Sequence, residues 1–227
     1  MQKQRFALFA VLALEVGSVQ APPIQSLLKP HQWQKMLHDK EVMVHAQLQK
    51  LPTPEGRNPA AIRTPDQHRY SYYAAMLVTA SPAMTRKILT DYRIYAQTIP
   101  YIDKADFYAA SNTLHLEGGI WNYRLRSQVQ FSEESDNWIK YEILVGSFAG
   151  LQGNIYFEPV GEKGTAIYMN GSQTGVKWPP RFIIEKGAEV VFSYVARRMR
   201  SYIESQKRGN SYGEQSGKEI PQPRSHL

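Results

Sequence analysis

The chain has 227 residues, 42% of them hydrophobic, which is enough for one domain with a real core and some terminal extension. It has no cysteine, so a disulfide framework, a thiol nucleophile and a Cys-bound metal are excluded. The net charge is +7, but the basic residues form neither a dense block nor an aromatic–basic platform, so nucleic acid is not an expected partner; the nearest cluster, Arg197, Arg198 and Arg200, falls late in a predicted helix, where cations complement the helix dipole.

Lys3 and Arg5 precede an unbroken apolar run at residues 6–14, FALFAVLAL, and small residues gather at Gly17, Ser18 and Ala21. This is the three-part pattern of a secretory signal over residues 1–21, too short to span a bilayer, which needs about 20 apolar residues. Export, to the periplasm or beyond, is the expectation. Glu15 borders the run and Pro22 follows Ala21, which disfavours a cut at that bond and leaves a cut after Ser18 or an uncleaved anchor as alternatives.

Residues 22–69 form a preface. Trp33, Met36 and Leu37 share one side of a predicted helix, and residues 41–49 alternate in the manner of a strand. Pro52, Pro54, Gly56, Pro59 and Pro65 then mark a loop longer than most connections. An apolar strand ends at Ala80. Ser81-Pro82 supplies an N-cap and a first-turn proline, Met84, Ile88 and Leu89 share a helical face, and Asp91 is placed to cap a second short helix ended by Pro100.

Strands follow. A hairpin is predicted across Ser111-Asn112. Residues 120–131 put Trp121, Tyr123, Leu125, Val129 and Phe131 on one face and Arg124, Arg126 and Gln128 on the other. Residues 138–145 set Ile139, Tyr141, Ile143 and Val145 to one side, residues 151–159 do the same with Ile155 and Phe157, and residues 165–174 with Ile167 and Met169. One apolar and one polar face per strand predicts an antiparallel sheet covered on a single side. After Trp178-Pro179-Pro180, residues 181–205 make about seven helical turns with Ile184, Ala188, Val191, Val195, Met199 and Tyr202 down one face, widened by Ile183, Val190 and Tyr194. Residues 206–227 are polar and Gly/Pro-containing, and read as a disordered tail.

The opening of the domain, with Ala80, Ser81, Pro82, Leu89, Thr90, Asp91, Tyr92, Tyr95, Ile99 and Pro100, resembles that of the START-like (SRPBCC) superfamily, nearest its polyketide cyclase/dehydrase and coenzyme Q-binding group. Phe148, Leu151, Gly153, Phe157, Pro159, Gly164 and Thr165 resemble the late hairpin of that superfamily, and the resemblance spans residues 70–204. It implies an α+β helix-grip fold over residues 70–205: a curved antiparallel sheet of about six to seven strands around a long C-terminal helix, with two short helices after the first long strand. It also implies a cavity between sheet and helix that holds a hydrophobic small molecule such as a lipid or quinone, for transport or sequestration, with transient membrane-surface contact as an added expectation. A polyketide cyclase or dehydratase working in the same cavity is the alternative.

Strand alternation nominates Trp121, Tyr123, Tyr141, Ile143, Ile155, Phe157 and Met169 as cavity walls, with Val191 and Val195 from the helix. Asn170 is the polar group that a bulge at Gly171 would turn inward. No catalytic residue, metal ligand or cofactor site is assigned. His115 and Glu117 stand two apart on one strand, but Leu114 and Leu116 claim the opposite, apolar face, so the pair is expected to face water.

Overall fold

The structure is a computed structural model and describes residues 21–52, 66–120, 123–146 and 148–216, with side chains described for all of these except 120, 123 and 208–216. Two helices lead, α1 (Ile24–Leu27) and α2 (Pro30–His38), followed by β1 (Met43–Lys50) and β2 (His68–Val78). Then come α3 (Pro82–Leu89), a single 3₁₀ turn at Tyr92–Ile94 and α4 (Tyr95–Thr98). Six strands follow: β3 (Ile102–Tyr108), β4 (Thr113–Ile120), β5 (Tyr123–Ser135), β6 (Trp138–Gly146), β7 (Gln152–Val160) and β8 (Gly164–Gly175). Helix α5 (Arg181–Ser216) closes the fold, and its backbone stays helical past Ser205, where the polar composition predicts an end.

All strands join one antiparallel sheet of eight, in the order β1-β2-β8-β7-β6-β5-β4-β3. The count exceeds six to seven because β1, from the preface, pairs with β2 along its whole length, from Met43 opposite Ala75 to Lys50 opposite His68. Local chemistry sets the turns. Ser81 Oγ accepts from the Met84 N–H at 3.3 Å and caps α3. Asn112 takes the left-handed conformation, φ 50°, that the β3–β4 hairpin needs. Asp91 does not cap the next turn as expected; its carboxylate grips Arg93 at 2.7 and 3.0 Å instead.

The sheet has an inner face under α5 and an outer face, and the preface covers part of the outer one. Ile24, Leu28, Trp33 and Met36 are buried against Met43, Ala75, Tyr156, Ala166 and Tyr168. The Ile24 N–H donates to Glu158 Oε2 at 2.5 Å, and Gln32 Nε2 donates to Tyr73 Oη at 2.8 Å. The expectation of a sheet covered on one side therefore holds for β3–β6 and fails for β1, β2, β8 and β7. Outer positions there are apolar and aromatic because they meet helices rather than water. The main inner core gathers Met76, Val78, Ile139, Phe157, Ile167, Met199 and Ile203, with Ile94 and Ile99 closing one end.

Candidate functional site

Helix α5 rests on the inner face along a seat of Ile184, Ala188, Phe192, Val195, Met199 and Ile203. One flank of its N-terminal half is bonded to the sheet edge. Glu185 Oε1 accepts from the Leu48 backbone N–H of β1 at 2.7 Å and from Arg181 Nε at 3.0 Å. These bonds hold the Glu185 carboxyl below the ordinary carboxylate value, the Leu48 N–H being the largest cause. A polar cleft of about 280 Å³ lies along this edge, lined by His45, Gln47, Arg181, Glu185, Lys186 and Glu189.

Beneath the seat, the β1–β2–β8–β7 half of the inner face is filled with rings. Phe192 stacks on Tyr72 at 4.4 Å between centroids, and Tyr70 contacts Tyr72, Phe148 and Trp178 at 5.7–6.2 Å. Two glycines make room. A Cβ on Gly153 would lie 2.4–2.5 Å from the Tyr141 ring and hydroxyl, and one on Gly171 would lie 2.6 Å from Tyr141 Oη and 2.7 Å from Tyr72 Cε1. Tyr141 and Tyr72 thus lie directly on bare backbone. Tyr141 Oη donates to the Asn170 carbonyl at 2.6 Å. Its proton being used there, it accepts from Tyr72 Oη. Burial raises both phenols above their ordinary 10.0.

The other flank of α5 stays open. Ile183, Gly187, Val190 and Tyr194 recur at one-turn spacing opposite the β1 edge. The Tyr194 ring lies 5.5 Å from Tyr101, whose carbonyl accepts from the Gly119 N–H of β4, so this flank leans over β4 and its neighbours. Ile183 is 56% exposed and Val190 68% exposed. Across from them, the inner face of β4, β5 and β6 presents Leu116, Leu125, Ser127 and Ile143, none of them fully buried. Helix and sheet thus each carry apolar side chains that are incompletely covered on this side of the molecule.

The wall residues nominated from sequence divide among three places. Tyr141, Ile143, Ile155 and Met169 come together around the aromatic cluster, with Tyr141 fully buried and the other three half-buried. Phe157 and Val195 belong to the main core, Phe157 within it and Val195 against it. Val191 is half-buried on α5, beside rather than on the seat, which Phe192 takes. Trp121 lies outside the described residues, and of Tyr123 only its place at the start of β5 is described. Asn170 is a correction. β8 runs through Gly171 in unbroken register with β2 and β7, so no bulge turns Asn170 inward. It sits on the outer face, where its Oδ1 accepts from the Asn154 backbone and side-chain amides at 3.2 Å.

Sequence reasoning missed Phe192 and the Tyr72–Tyr141 pair. The signal for the pair was present: glycines at 153 and 171 on apolar strand faces mark a close approach. His115 and Glu117 lie on the outer face, as alternation predicts. His115 packs on Tyr108 at 4.6 Å, and Glu117 faces Arg126 at 3.8 Å. Among the described residues no group of three or more His, Asp or Glu side chains is placed to hold a metal ion.

A curved antiparallel sheet gripping a long terminal helix defines a helix-grip protein, and comparison with solved structures agrees. A START superfamily protein from Mycobacterium smegmatis aligns with a TM-score of 0.53 at 20% identity, over 60% of this chain and 98% of that one. A Staphylococcus aureus protein of unknown function, SA2116, aligns at 0.52 and 12% identity, over 63% and 98%. Ara h 8.0201 aligns at 0.50 and 10% identity, over 60% and 99%. The fold of this chain is START-like (SRPBCC). No family model and no curated protein matches the sequence.

Proposed function

We propose that the protein is exported and binds a hydrophobic small molecule, of lipid or quinone type, between α5 and β4–β6, for transport or sequestration. The observation that carries this reading is the open flank. Ile183 and Val191 on the helix, and Leu116, Leu125 and Ile143 on the sheet, are apolar and incompletely covered. Sites of this composition hold ligands by burial and use few polar groups for orientation. Each buried methylene contributes ~0.8 kcal/mol, so a chain of a dozen carbons needs little else. Export rests on the leader pattern of residues 1–21, most of which lie outside the described residues.

Native mass spectrometry of the purified protein, before and after incubation with a total lipid extract, tests the reading. The expected spectrum carries one added mass of lipid size, and Leu125→Asp, at a partly exposed position of the inner face, lowers its occupancy at least fivefold while thermal unfolding is unchanged. A bare apo mass in both samples overturns the proposal.

A further inference from the structure

One end of the molecule, the tip, carries exposed apolar side chains with a lysine beside them in sequence. β8 ends here, and the chain passes through Val176, Lys177, Trp178, Pro179, Pro180 and Arg181 into α5. Phe182 is 75% exposed and Val176 46% exposed, with Ile183 beside them. β6 ends at the same end of the sheet with Leu144 and Val145 also exposed, and Gln173 Nε2 ties the β8 end to the β6–β7 turn through the Ala149 carbonyl at 2.6 Å. Phe182 is among the largest of these side chains and the most exposed of them, and packing of the domain does not account for it.

The residues that flank the tip in sequence are cationic. Arg181 is paired with Glu185 at 3.0 Å, whereas Lys177 has no ion-pair partner among the described residues. The first turn of α5 holds no acidic residue, so the positive end of the helix dipole stands unopposed. Glu185, the nearest carboxylate on the helix, is turned toward β1 by its bond to the Leu48 N–H.

We infer that this end docks on an anionic phospholipid surface, Phe182, Val176 and Ile183 entering the headgroup–acyl boundary while Lys177 meets lipid phosphates. Large apolar side chains with an unpaired cation beside them match the two layers of that boundary, whereas a protein partner imposes no such order. The inference deepens the binding proposal, since Ile183 belongs both to the tip and to the open flank of α5, and docking would bring the proposed site to the bilayer.

The test is flotation of the full chain with vesicles of phosphatidylcholine alone and with 30 mol% phosphatidylglycerol, at low and high salt. Comparing variants within the full chain holds any contribution of the leader constant. Wild type is expected to bind anionic vesicles at least tenfold better than neutral ones. Phe182→Ser is expected to weaken partition by about tenfold on either composition. Lys177→Glu is expected to weaken it by about tenfold on anionic vesicles at low salt, and much less at high salt. Both sites are exposed, and unchanged circular dichroism confirms folding. Partition unaffected by Phe182→Ser, or equal on both compositions, overturns the inference. So does a dimer in sedimentation equilibrium that Phe182→Ser dissolves without altering vesicle binding, which assigns the tip to a second copy of the chain. Lipid retained in native mass spectra of Phe182→Ser separates a failure of docking from a failure of ligand binding.

Discussion

The Tyr72–Tyr141 pair shows how two phenols become a structural element. Tyr141 is held by the carbonyl of Asn170 and in turn accepts from Tyr72, with both side chains nearly inaccessible. The chain of bonds has a direction, so its members are unequal. Tyr72→Phe removes a terminal donor and leaves the bond to Asn170 intact, a loss expected to cost about 1 kcal/mol. Tyr141→Phe takes away the Asn170 partner and also strands the Tyr72 hydroxyl in an apolar cluster, which raises the expected cost to about 2–3 kcal/mol. With Phe at both sites no hydroxyl is stranded. The double variant should therefore cost less than the sum of the singles, by about 1 kcal/mol. Urea unfolding of the four proteins measures this. Strict additivity would mean that the two hydroxyls act independently.

At the scale of elements, the outer coat made by α1 and α2 is the main departure from a sheet with one wet side. Met36 is fully buried against that sheet. Met36→Ala is expected to destabilise the whole domain by about 2–5 kcal/mol, the range for emptying a packed core site, seen as a single shifted transition in urea. A loss below about 1 kcal/mol, or a separate early transition, would mean that the coat docks loosely and the sheet folds without it. Helix α2 and strand β1 were both legible in sequence through their periodicity, but their berth was not, because amphipathicity names a buried face without naming what buries it. Strand parity was legible until geometry broke it. Alternation places Val145 beside Ile143 and Tyr141, yet the register slips between Gln128 and Val129 of β5, and Val145 ends up exposed, one step out of phase. On α5, a 3.6-residue period allows either Val191 or Phe192 on the seat. The ring of Phe192 takes it by stacking on Tyr72, a choice set by a partner more than a hundred residues away in sequence. The long helix, the succession of strands along the chain and the α3 cap needed no such partner, and so were readable from the chain alone.

At the scale of the whole molecule, the abundance of tyrosine makes stability depend on alkaline pH. Desolvation raises the phenols of Tyr70, Tyr72, Tyr92, Tyr95 and Tyr141 above their ordinary 10.0, and pushes Tyr168 up to about 12. In the unfolded chain these phenols titrate near pH 10. Between the unfolded and the folded values, the folded protein keeps protons that the unfolded chain has released. Unfolding then frees protons, and stability falls as pH rises. Below pH 10 both states are protonated at these sites and the slope vanishes. Each such phenol contributes up to about 1.4 kcal/mol per pH unit above pH 10, so six acting together outweigh a net stability of about 5–15 kcal/mol within one or two units. The expected result is cooperative unfolding between about pH 11 and 12. Tyrosinate absorbance should rise in two stages, with the exposed phenols first and reversibly, and the buried ones only as the circular dichroism of the sheet collapses. A smooth titration of all 14 tyrosines near pH 10, with the fold intact, would mean that water reaches the inner face freely, and the aromatic half of the site would then be as open as the flank beside it.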